Sequence, residues 1–405
     1  MDQHGPSGPF LHLPADAKQR ILAHARQLGF DLVGIASPQQ FGREERVFKE
    51  RRDRGYLERW HYDDRTIEAA CRPERALPGV RSIICTATSY YADANPHDPN
   101  APGLRGAISS YAWGLDYHKV IGRWLTSLAQ FIESEFPGAR CLKCADTGPM
   151  VDRAAAVRAG IGWFGKNGNV LTKQFGSYVF LAELLTTLDL EPDRPLQTNC
   201  GQCVACIARC PTDAIGPDGA VDSRRCLSDI TQMKGPIPRE YRPALGNRLW
   251  GCDDCQTACP VNQRNAAATH AEFAPSAGTG IAMDLPSVLL MSRAQFRAWF
   301  GSSAMAWRGK AVLQRNAAVA LGNSQDVRAV PALAQALRDR KPVVRGHAAW
   351  ALGQLGGGDA ERALLELLDA EPDAWVRDEA EHALARMHGQ ASAAAMSQAT
   401  ASPSA

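Results

Sequence analysis

Apolar positions follow two different periods along the first half of the chain. Residues 15–28 and 119–135 carry apolar side chains at helical spacing. Residues 32–36 and 82–87 are short, nearly continuous apolar runs of the kind that form buried strands. Helical and strand-like segments alternate in this way from residue 15 to residue 190. The alternation predicts an α/β domain over that range.

A different pattern begins near residue 306, where an Ala-rich motif recurs. Residues 315–322 match residues 346–353, 31 positions further on, and a weaker copy follows at 378–384. This spacing is typical of two-helix repeats, in which stacked helices bury a shared face and leave another face free. The sequence therefore predicts a HEAT-like repeat domain over residues 306–388. A plain helical bundle is the alternative.

Composition separates the remaining segments. Residues 1–14 are interrupted by Gly and Pro and are expected to be mobile, and residues 389–405 consist mostly of Ala, Ser, Thr and Gln and are expected to be disordered. Residues 191–265 are rich in loops and hold eight cysteines. We expect a small ferredoxin-like domain there, followed by a linker over residues 266–305.

Composition and charge narrow the class of protein. The 405 residues carry 45 Lys and Arg against 43 Asp and Glu, so a nucleic-acid or membrane partner would need a local patch of charge. No apolar run reaches the ~18 residues of a membrane span, and no export signal precedes the first helix, which predicts a cytoplasmic protein. Twelve cysteines in a reducing compartment indicate metal or redox chemistry and not disulfides.

Eight of the cysteines have the spacing of iron–sulfur ligands. Cys200, Cys203, Cys206 and Cys210 reproduce the bacterial ferredoxin run, in which the first three cysteines hold one 4Fe-4S cluster and the fourth ligates a neighbouring cluster. A second set must therefore follow. The predicted ligands are Cys200, Cys203, Cys206 and Cys259 for one cluster, and Cys226, Cys252, Cys255 and Cys210 for the other.

Other interpretations of the cysteines remain open. Two four-cysteine zinc sites are arithmetically possible, and two clusters could serve structure alone. Cys71 and Cys85 are expected to be inert, buried thiols. Cys141 and Cys144 resemble a redox pair, but they lie on a predicted strand, where positions three apart face opposite ways.

Two clusters relay single electrons, so reduction of an organic substrate needs a further centre. Gly160, Gly162 and Gly165 match the dinucleotide fingerprint but follow a helical pattern, which argues against a nicotinamide or flavin site. Residues 116–122 are one residue too long for the signature of cobalamin proteins that ligate cobalt through His. We therefore do not expect His118 to be an axial ligand.

Asp146 precedes another helical segment and has two interpretations. As an N-cap, its carboxylate would face the helix N-terminus, which lowers its pKa. In a buried site, desolvation would raise its pKa and leave an acid able to donate a proton.

Several motifs occur together and in order. They are YAWGLDYH at 111–118, DTG at 146–148, RAGIGWFGKN at 158–167, FGSY at 175–178, TQMKG at 231–235, GNRLWGCDDCQTACP at 246–260, WRGK at 307–310 and QRN at 314–316. Through these motifs, and over residues 15–388, the chain resembles the epoxyqueuosine reductases.

The resemblance implies a cobalamin-dependent enzyme with two 4Fe-4S clusters. Such an enzyme reduces epoxyqueuosine to queuosine, with release of water, at the wobble position of the tRNAs for Asp, Asn, His and Tyr. An external flavodoxin or ferredoxin would supply the electrons. The resemblance also implies that Asp146 donates a proton to the epoxide oxygen, with its pKa raised by burial beside the corrin. The residues implied to line the cofactor are His118, Asp146, Val170, Ser228 and Asp253.

The match departs from the family at one position. Some members carry an Arg three residues before the proline that corresponds to Pro73, where this chain has Ala70. Arg72 stands nearby and could compensate, so we assign no corrin contact to this segment.

A local excess of basic residues suggests where tRNA binds. Between residues 308 and 345, eight Lys or Arg stand against two Asp, which suits a phosphate backbone, although a solvated helix face is the alternative. Trp250 is expected to stack on a flipped-out base, with Arg239 and Arg242 as further contacts near it. The predicted tRNA-binding residues are Lys234, Arg248, Arg308, Lys310, Arg315, Arg338, Arg340, Lys341 and Arg345.

Two rival functions come from different classes. A reductive dehalogenase would couple a similar corrin domain to two clusters, but it is typically exported and lacks a HEAT-like tail. A ferredoxin-like electron carrier or RNA-binding scaffold would have no use for the large N-terminal domain. We expect a monomer, because tRNA must reach the corrin across an open surface.

Overall fold

The computed structural model describes residues 13–98, 102–265 and 268–400, without the side chains of residues 264 and 390–400. It divides the chain into two units, each assembled from separate stretches. The first unit comprises Met1–Asp93, Leu115–Arg224 and Asp254–Ala274, and the second comprises Ala94–Gly114, Arg225–Asp253 and Pro275–Ala405. No helix within the described residues is both long and apolar enough to cross a membrane.

The helices and strands alternate up to the first cysteine run, and the C-terminal third is helical. The first half contains α1 Ala17–Leu28, β1 Leu32–Ala36, α2 Gly42–Asp53, α3 Asp64–Cys71, α4 Pro73–Ala76, β2 Ser82–Ser89, β3 Arg105–Ile108, α5 Tyr117–Glu135, β4 Cys141–Cys144, α6 Asp152–Arg158, β5 Trp163–Phe164, β6 Val170–Leu171 and β7 Val179–Thr186. The second half contains α7 Ala205–Arg209, α8 Leu227–Gln232, β8 Arg248–Trp250, α9 Asp254–Thr257, β9 Ala282–Asp284, α10 Leu285–Leu290, α11 Arg293–Phe300, α12 Lys310–Asn323, α13 Val330–Ala336, α14 Pro342–Leu355, α15 Gly358–Ala370 and α16 Ala374–Thr400.

A four-stranded sheet forms the centre of the first unit. Its order is β1-β2-β7-β4, and every neighbouring pair is antiparallel. Helices α1 and α5 pack together and against the sheet, and α6 packs against β1, β2 and β7. The predicted α/β character is confirmed, because the apolar runs at β1 and β2 form buried strands and the amphipathic segments form α1 and α5.

The second unit combines a small sheet with stacked helices. The sheet has the order β8-β3-β9, with β3 parallel to β8 and antiparallel to β9. Helices α12, α14 and α16 pack against one another in sequence. Helix α13 packs against α14 and α15, and α15 packs against α14 and α16. The repeat seen in the sequence thus corresponds to successive helices of a HEAT-like stack.

Small residues allow these helices to approach closely. A Cβ at Gly322 would lie 2.8 Å from the Ala351 Cα, and a Cβ at Gly353 would lie 2.5 Å from the Ala383 Cβ. Gly322 and Gly353 occupy the same position of the 31-residue repeat. The repeat therefore preserves a glycine where each helix meets the next.

The structure divides the chain differently from the expected linear boundaries. Residues 94–114 lie within the expected α/β domain but belong to the second unit. Residues 225–253, from the expected ferredoxin-like segment, also belong to the second unit. The expected linker at 266–305 is wrong for residues 282–300, because they form β9, α10 and α11. Composition cannot reveal such exchanges, because the pairing of β9 with β3 links segments far apart in sequence.

The two termini are described only in part. Residues 1–12 of the expected mobile N-terminus and residues 401–405 of the tail lie outside the described residues. The expectation of disorder from residue 389 onward differs from the structure, in which the backbone of α16 continues as a helix to Thr400.

We expect Gly353→Ala to destabilise the second unit by about 1–3 kcal/mol, because the added methyl would overlap Ala383. The matched control is Gly122→Ala in α5, where a Cβ would meet nothing within 4 Å. Gly122→Ala should stabilise the chain by about 0.5–1 kcal/mol through helix propensity. Thermal unfolding of both variants measures the difference, and equal shifts would contradict the close-packing argument.

Candidate functional site

Asp146 lies on an exposed loop between β4 and α6. Its backbone φ is 60°, a left-handed conformation that residues other than glycine rarely adopt, and its side chain is 58% exposed. Helix α6 begins at Asp152 with Val151 as its N-cap. The N-cap interpretation of Asp146 is therefore wrong, and its carboxylate is available for another role.

That role is visible in a hydrogen-bonded row of three side chains. Asp116 caps α5 and accepts a hydrogen bond from Nδ1 of His118 at 2.8 Å. On the other side of the ring, Nε2 of His118 lies 3.1 Å from Oδ2 of Asp146. Because both ring nitrogens face carboxylates, neither is left to bind a metal. That His118 is not an axial ligand stays a prediction.

The two carboxylates determine where the proton resides. Burial lowers the pKa of His118, but the hydrogen bonds to Asp116 and Asp146 outweigh it and raise the pKa to about 9. The hydrogen bond from His118 holds the pKa of Asp146 below its usual value despite partial desolvation. The expected rise in the pKa of Asp146 is thus not found in this structure. At neutral pH the proton lies on the imidazole.

Sequence reasoning missed Tyr117 as a member of this site. Its hydroxyl donates a hydrogen bond to Asp146, which also helps to lower the pKa of that carboxyl. Its ring stacks on Phe180 of β7 at 4.3 Å between centroids and on His118 at 4.0 Å. Tyr117 belongs to the motif YAWGLDYH at 111–118, but nothing in that motif assigns its hydroxyl to Asp146.

A second missed feature is a pair of buried acids that interact electrostatically with Asp146. Glu183 is fully buried at the centre of the sheet, where it pairs with Cys85 and Cys144 in register, and Asp152 begins α6. Burial raises the pKa of both carboxyls, that of Asp152 to about 6. Asp152 raises the pKa of Glu183 further, whereas the hydrogen bond with Glu183 lowers the pKa of Asp152. The pair therefore retains a proton at neutral pH. The isolated acids gave no pattern that could have revealed it in the sequence.

Four of the predicted cluster ligands line one cavity in the first unit. Cys200, Cys203, Cys206 and Cys259 surround it together with Lys166, Asn167, Leu171, Ala205 and Pro260. Burial raises the pKa of Cys206 and Cys259, and the neighbouring thiols raise it further. Thiolates gathered in this way need a cationic centre to bind.

The lining of the cavity fits an iron–sulfur cluster, because four cysteine thiols line it. In addition, the amide nitrogen of Asn167 is buried without a hydrogen-bond acceptor, while its Oδ1 accepts from the backbone nitrogen of Asn169. A cluster sulfur in the cavity would supply an acceptor.

The other predicted ligands are distributed over both units. Cys210 and Cys255 belong to the first unit, and Cys226 and Cys252 belong to the second. Cys226 immediately precedes α8, and Cys252 follows β8. Neither unit holds all four of these cysteines.

The remaining expected cofactor residues also divide between the units. Val170 is buried on β6 of the first unit. Ser228 lies on α8 of the second unit, and the Asp253 carboxylate accepts hydrogen bonds there from the Ser109 hydroxyl and the Ser110 backbone nitrogen.

The four other cysteines have the properties of structural thiols. Burial raises the pKa of Cys71 and of Cys141 to about 11 and that of Cys144 to about 12, so these thiols stay protonated and unreactive. Cys85 is fully buried, and its pKa is raised as well. Cys141 and Cys144 both lie on β4, as expected.

The structure separates the predicted tRNA-binding residues into internal and exposed groups. Arg315 is fully buried, and Arg345 is 13% exposed and binds both oxygens of Glu371 at 2.6 Å. Both assignments to tRNA are wrong, because a guanidinium that is buried and saturated by protein acceptors cannot reach phosphate. Arg248 is half-buried and donates to the Ala244 and Leu245 carbonyls.

The exposed group is smaller than the sequence count suggested. Lys234, Arg338, Arg340 and Lys341 are exposed. Lys310 binds Gln314, and Arg308 is half-buried over the ring of Trp307 at 3.6 Å. Trp307 itself is 56% exposed; it belongs to the motif WRGK at 307–310, which gave it no role.

Three expected contacts near the site are also wrong. Trp250 has no exposed surface, and its indole nitrogen donates to the Tyr111 hydroxyl at 2.7 Å, so it cannot stack on a base. Arg242 is buried in a bidentate ion pair with Glu379 at 2.7 Å, and Arg239 binds Asp378 and Glu379.

Family models match three stretches of the chain. Residues 71–147 match a model described as "Epoxyqueuosine reductase QueG, DUF1730". Residues 199–262 match a 4Fe-4S double cluster binding domain, and residues 308–385 match HEAT repeats.

Whole-chain comparisons find the same proteins. The epoxyqueuosine reductase of Bacillus cereus is 37% identical over 364 residues, which cover 89% of this chain and 95% of the relative. That of Bacillus subtilis is 36% identical over 370 residues, covering 90% and 94%. A crystal structure of epoxyqueuosine reductase with a tRNA-Tyr epoxyqueuosine-modified stem loop has 35% sequence identity and a TM-score of 0.86, covering 92% of this chain and 98% of that one.

We expect the imidazole of His118 to titrate with a midpoint near pH 9, because two carboxylates stabilise its charged form. NMR of labelled imidazole carbons measures this midpoint, with His118→Asn identifying the signal. The contribution of His118 to stability should be complete below about pH 6.5 and should disappear as the pH rises through about 9.

Asp116→Asn should lower the His118 midpoint, whereas Asp189→Asn, which removes an exposed carboxylate paired with Arg81, should not. A midpoint near the ordinary histidine value in the unaltered chain would contradict the proposed charge state.

Proposed function

The chain belongs to the epoxyqueuosine reductase family of tRNA-modifying oxidoreductases, and from this we propose that it reduces epoxyqueuosine to queuosine at the wobble position of tRNA, using cobalamin and two 4Fe-4S clusters. The observation that carries the proposal is the first unit itself. It combines a cavity lined by four cysteines with an exposed carboxylate that is hydrogen-bonded to a protonated imidazole. One feature suits electron delivery and the other suits proton delivery.

The proposed cluster ligands are those expected from the spacing. Cys200, Cys203, Cys206 and Cys259 hold one cluster, and Cys226, Cys252, Cys255 and Cys210 hold the other. The match of residues 199–262 to a double-cluster domain supports this assignment. An external flavodoxin or ferredoxin supplies electrons, and the enzyme acts as a monomer.

Cobalamin, when bound, supplies a low-potential cobalt centre that passes electrons to the substrate. His118 fits such a site as a neighbour and not as a ligand, since both its ring nitrogens face carboxylates. We propose that His118, Asp146, Val170, Ser228 and Asp253 line the corrin.

Removal of the epoxide oxygen as water consumes two electrons and two protons. An alkoxide leaves poorly, so the first proton must reach the oxygen as the carbon–oxygen bond breaks. In this proposal Asp146 delivers it, although its own pKa is low and the stored proton lies on Nε2 of His118. We propose that Asp146 receives this proton through the 3.1 Å contact and passes it to the substrate. Tyr117 and Asp116 orient the two partners.

We propose that the substrate is a tRNA for Asp, Asn, His or Tyr. A related enzyme has been crystallised with an epoxyqueuosine-modified tRNA-Tyr stem loop, which supports RNA as the substrate here. On this chain the exposed basic residues Arg338, Arg340 and Lys341 are the proposed phosphate contacts of the repeat domain.

We expect Asp146→Asn to lose turnover by about 10²- to 10⁴-fold, because the amide cannot receive and pass on the proton. The measurement is anaerobic. Reconstituted protein, cobalamin, a low-potential reductant and tRNA containing epoxyqueuosine are incubated, and the nucleosides are then weighed. The matched control is Asp189→Asn, which removes a carboxylate of similar exposure, 64%.

Loss of one oxygen from the nucleoside only when cobalamin is present supports the proposed reaction. Full turnover by Asp146→Asn would contradict its assignment. No conversion by the unaltered protein with intact clusters and bound corrin would contradict the substrate, and organohalides would be tested next.

We expect the double reversal Arg338→Glu and Arg340→Glu to weaken tRNA binding more at low salt than at high salt, because phosphate contacts release counterions. Filter binding or fluorescence anisotropy over a salt series measures the effect. The control is Arg43→Glu with Arg46→Glu, an equal change of charge at exposed positions on α2. Equal loss of affinity in both double variants would indicate that only net charge matters.

A further inference from the structure

The fully buried Arg315 is the strongest unexplained feature of the second unit. It belongs to α12, the first helix of the repeat stack, and has no exposed surface. Its Nη1 donates to the carbonyls of Met233 and Gly235 at 2.7 Å each, and its Nη2 donates to those of Ile230 and Thr231 at 3.2 and 3.1 Å. The guanidinium thus ties together the end of α8 and the turn that follows it.

Asn316 extends the same network to β8. Its Oδ1 accepts from Nε and Nη2 of Arg315 at 3.1 and 2.9 Å. Its Nδ2 donates to the carbonyls of Thr231 and Leu249 at 2.8 Å each. One buried asparagine therefore joins α8 to β8.

Thr231 closes the network next to the cysteines. Its carbonyl accepts from both Arg315 and Asn316, and its hydroxyl accepts from the backbone nitrogen of Gly251 at 2.9 Å. Gly251 directly precedes Cys252, and α8 directly follows Cys226. The segments that bear these two thiols are consequently held to each other through a single buried threonine.

We propose that Arg315 and Asn316 are positioning residues for the second 4Fe-4S cluster, which they serve by holding Cys226 and Cys252 in register. The inference rests on the cluster assignment of the proposed function. Helix α12, the first helix of the repeat stack, thereby helps to build the electron-transfer site. Cluster ligation tolerates little error in thiol position, and a buried network with every donor satisfied keeps its members rigid.

Arg315→Met tests this, because it keeps the length and apolar stem while removing all the donors. The readouts are iron and acid-labile sulfide per chain, and the EPR spectrum of the anaerobically reduced holoprotein. We expect iron and sulfide to fall about twofold, as one of two clusters is lost. We also expect the signal of two interacting clusters to become that of one isolated cluster. Arg315→Lys should restore part of both.

Arg345→Met is the matched control. Arg345 is also a largely buried arginine of the repeat stack, but it binds Glu371 and the Asp339 carbonyl, far in sequence from either cysteine segment. It should lower thermal stability and leave the iron content and EPR spectrum unchanged. Equal iron content and identical spectra in both variants would overturn the proposal.

Thr231→Val serves if Arg315→Met does not fold. It preserves the volume and the carbonyl and removes only the hydroxyl that accepts from Gly251. We expect a folded protein with an altered EPR signal from one cluster, and an unaltered signal would overturn the proposal. Because these readouts do not require turnover, failure of the substrate assignment and failure of this inference are distinguishable.

Discussion

A charge that water cannot reach governs the architecture of the second unit. Placing an isolated guanidinium in a protein interior costs several kcal/mol even after relaxation, so its donors must meet fixed acceptors. Arg315 meets four backbone carbonyls and the side chain of Asn316. Those carbonyls must be presented from α8 and its following turn, and α12 must lie against β8 for Asn316 to reach Leu249. The packing of the repeat stack and the packing of the cysteine-bearing segments of this unit therefore depend on each other.

In the first unit, the same balance of burial and charge pairing decides where protons are held. His118 is only partly buried, and two carboxylates flank it, so its charged form is favoured and the proton is stored on the ring. Asp152 and Glu183 are buried, and desolvation outweighs the attraction of Arg153 for Asp152, so a proton stays on the pair. The environment of each group, and not its residue type, decides which ones are acids at neutral pH.

Local pattern predicted the elements of this chain well. Period and apolar content identified α1, β1, β2 and α5, and the 31-residue repeat identified the helical stack, because these signals are local in sequence. The cysteine spacing identified the four thiols that line one cavity, three from the first run and Cys259 from the second set, since ligand spacing is set by the cluster. Local pattern could not predict which unit residues 94–114 and 225–253 belong to, because this depends on strand pairing between β3, β8 and β9. Asp146 failed as an N-cap for a related reason: the helix it seemed to begin starts only at Asp152.

Counting charge along the sequence gave the most misleading result, and burial explains why. Arg315 and Arg345 belong to a range with a strong basic excess, yet each binds acceptors inside the protein. The basic residues of this range that remain exposed are Arg328, which pairs with Asp326, and the short group Arg338, Arg340 and Lys341. Each phosphate contact contributes about one unit to the salt dependence of binding, so a group of this size can supply only part of the affinity for RNA. Under the proposed function, recognition of RNA must therefore rely on the shape and polar groups of the site as well as on phosphate contacts.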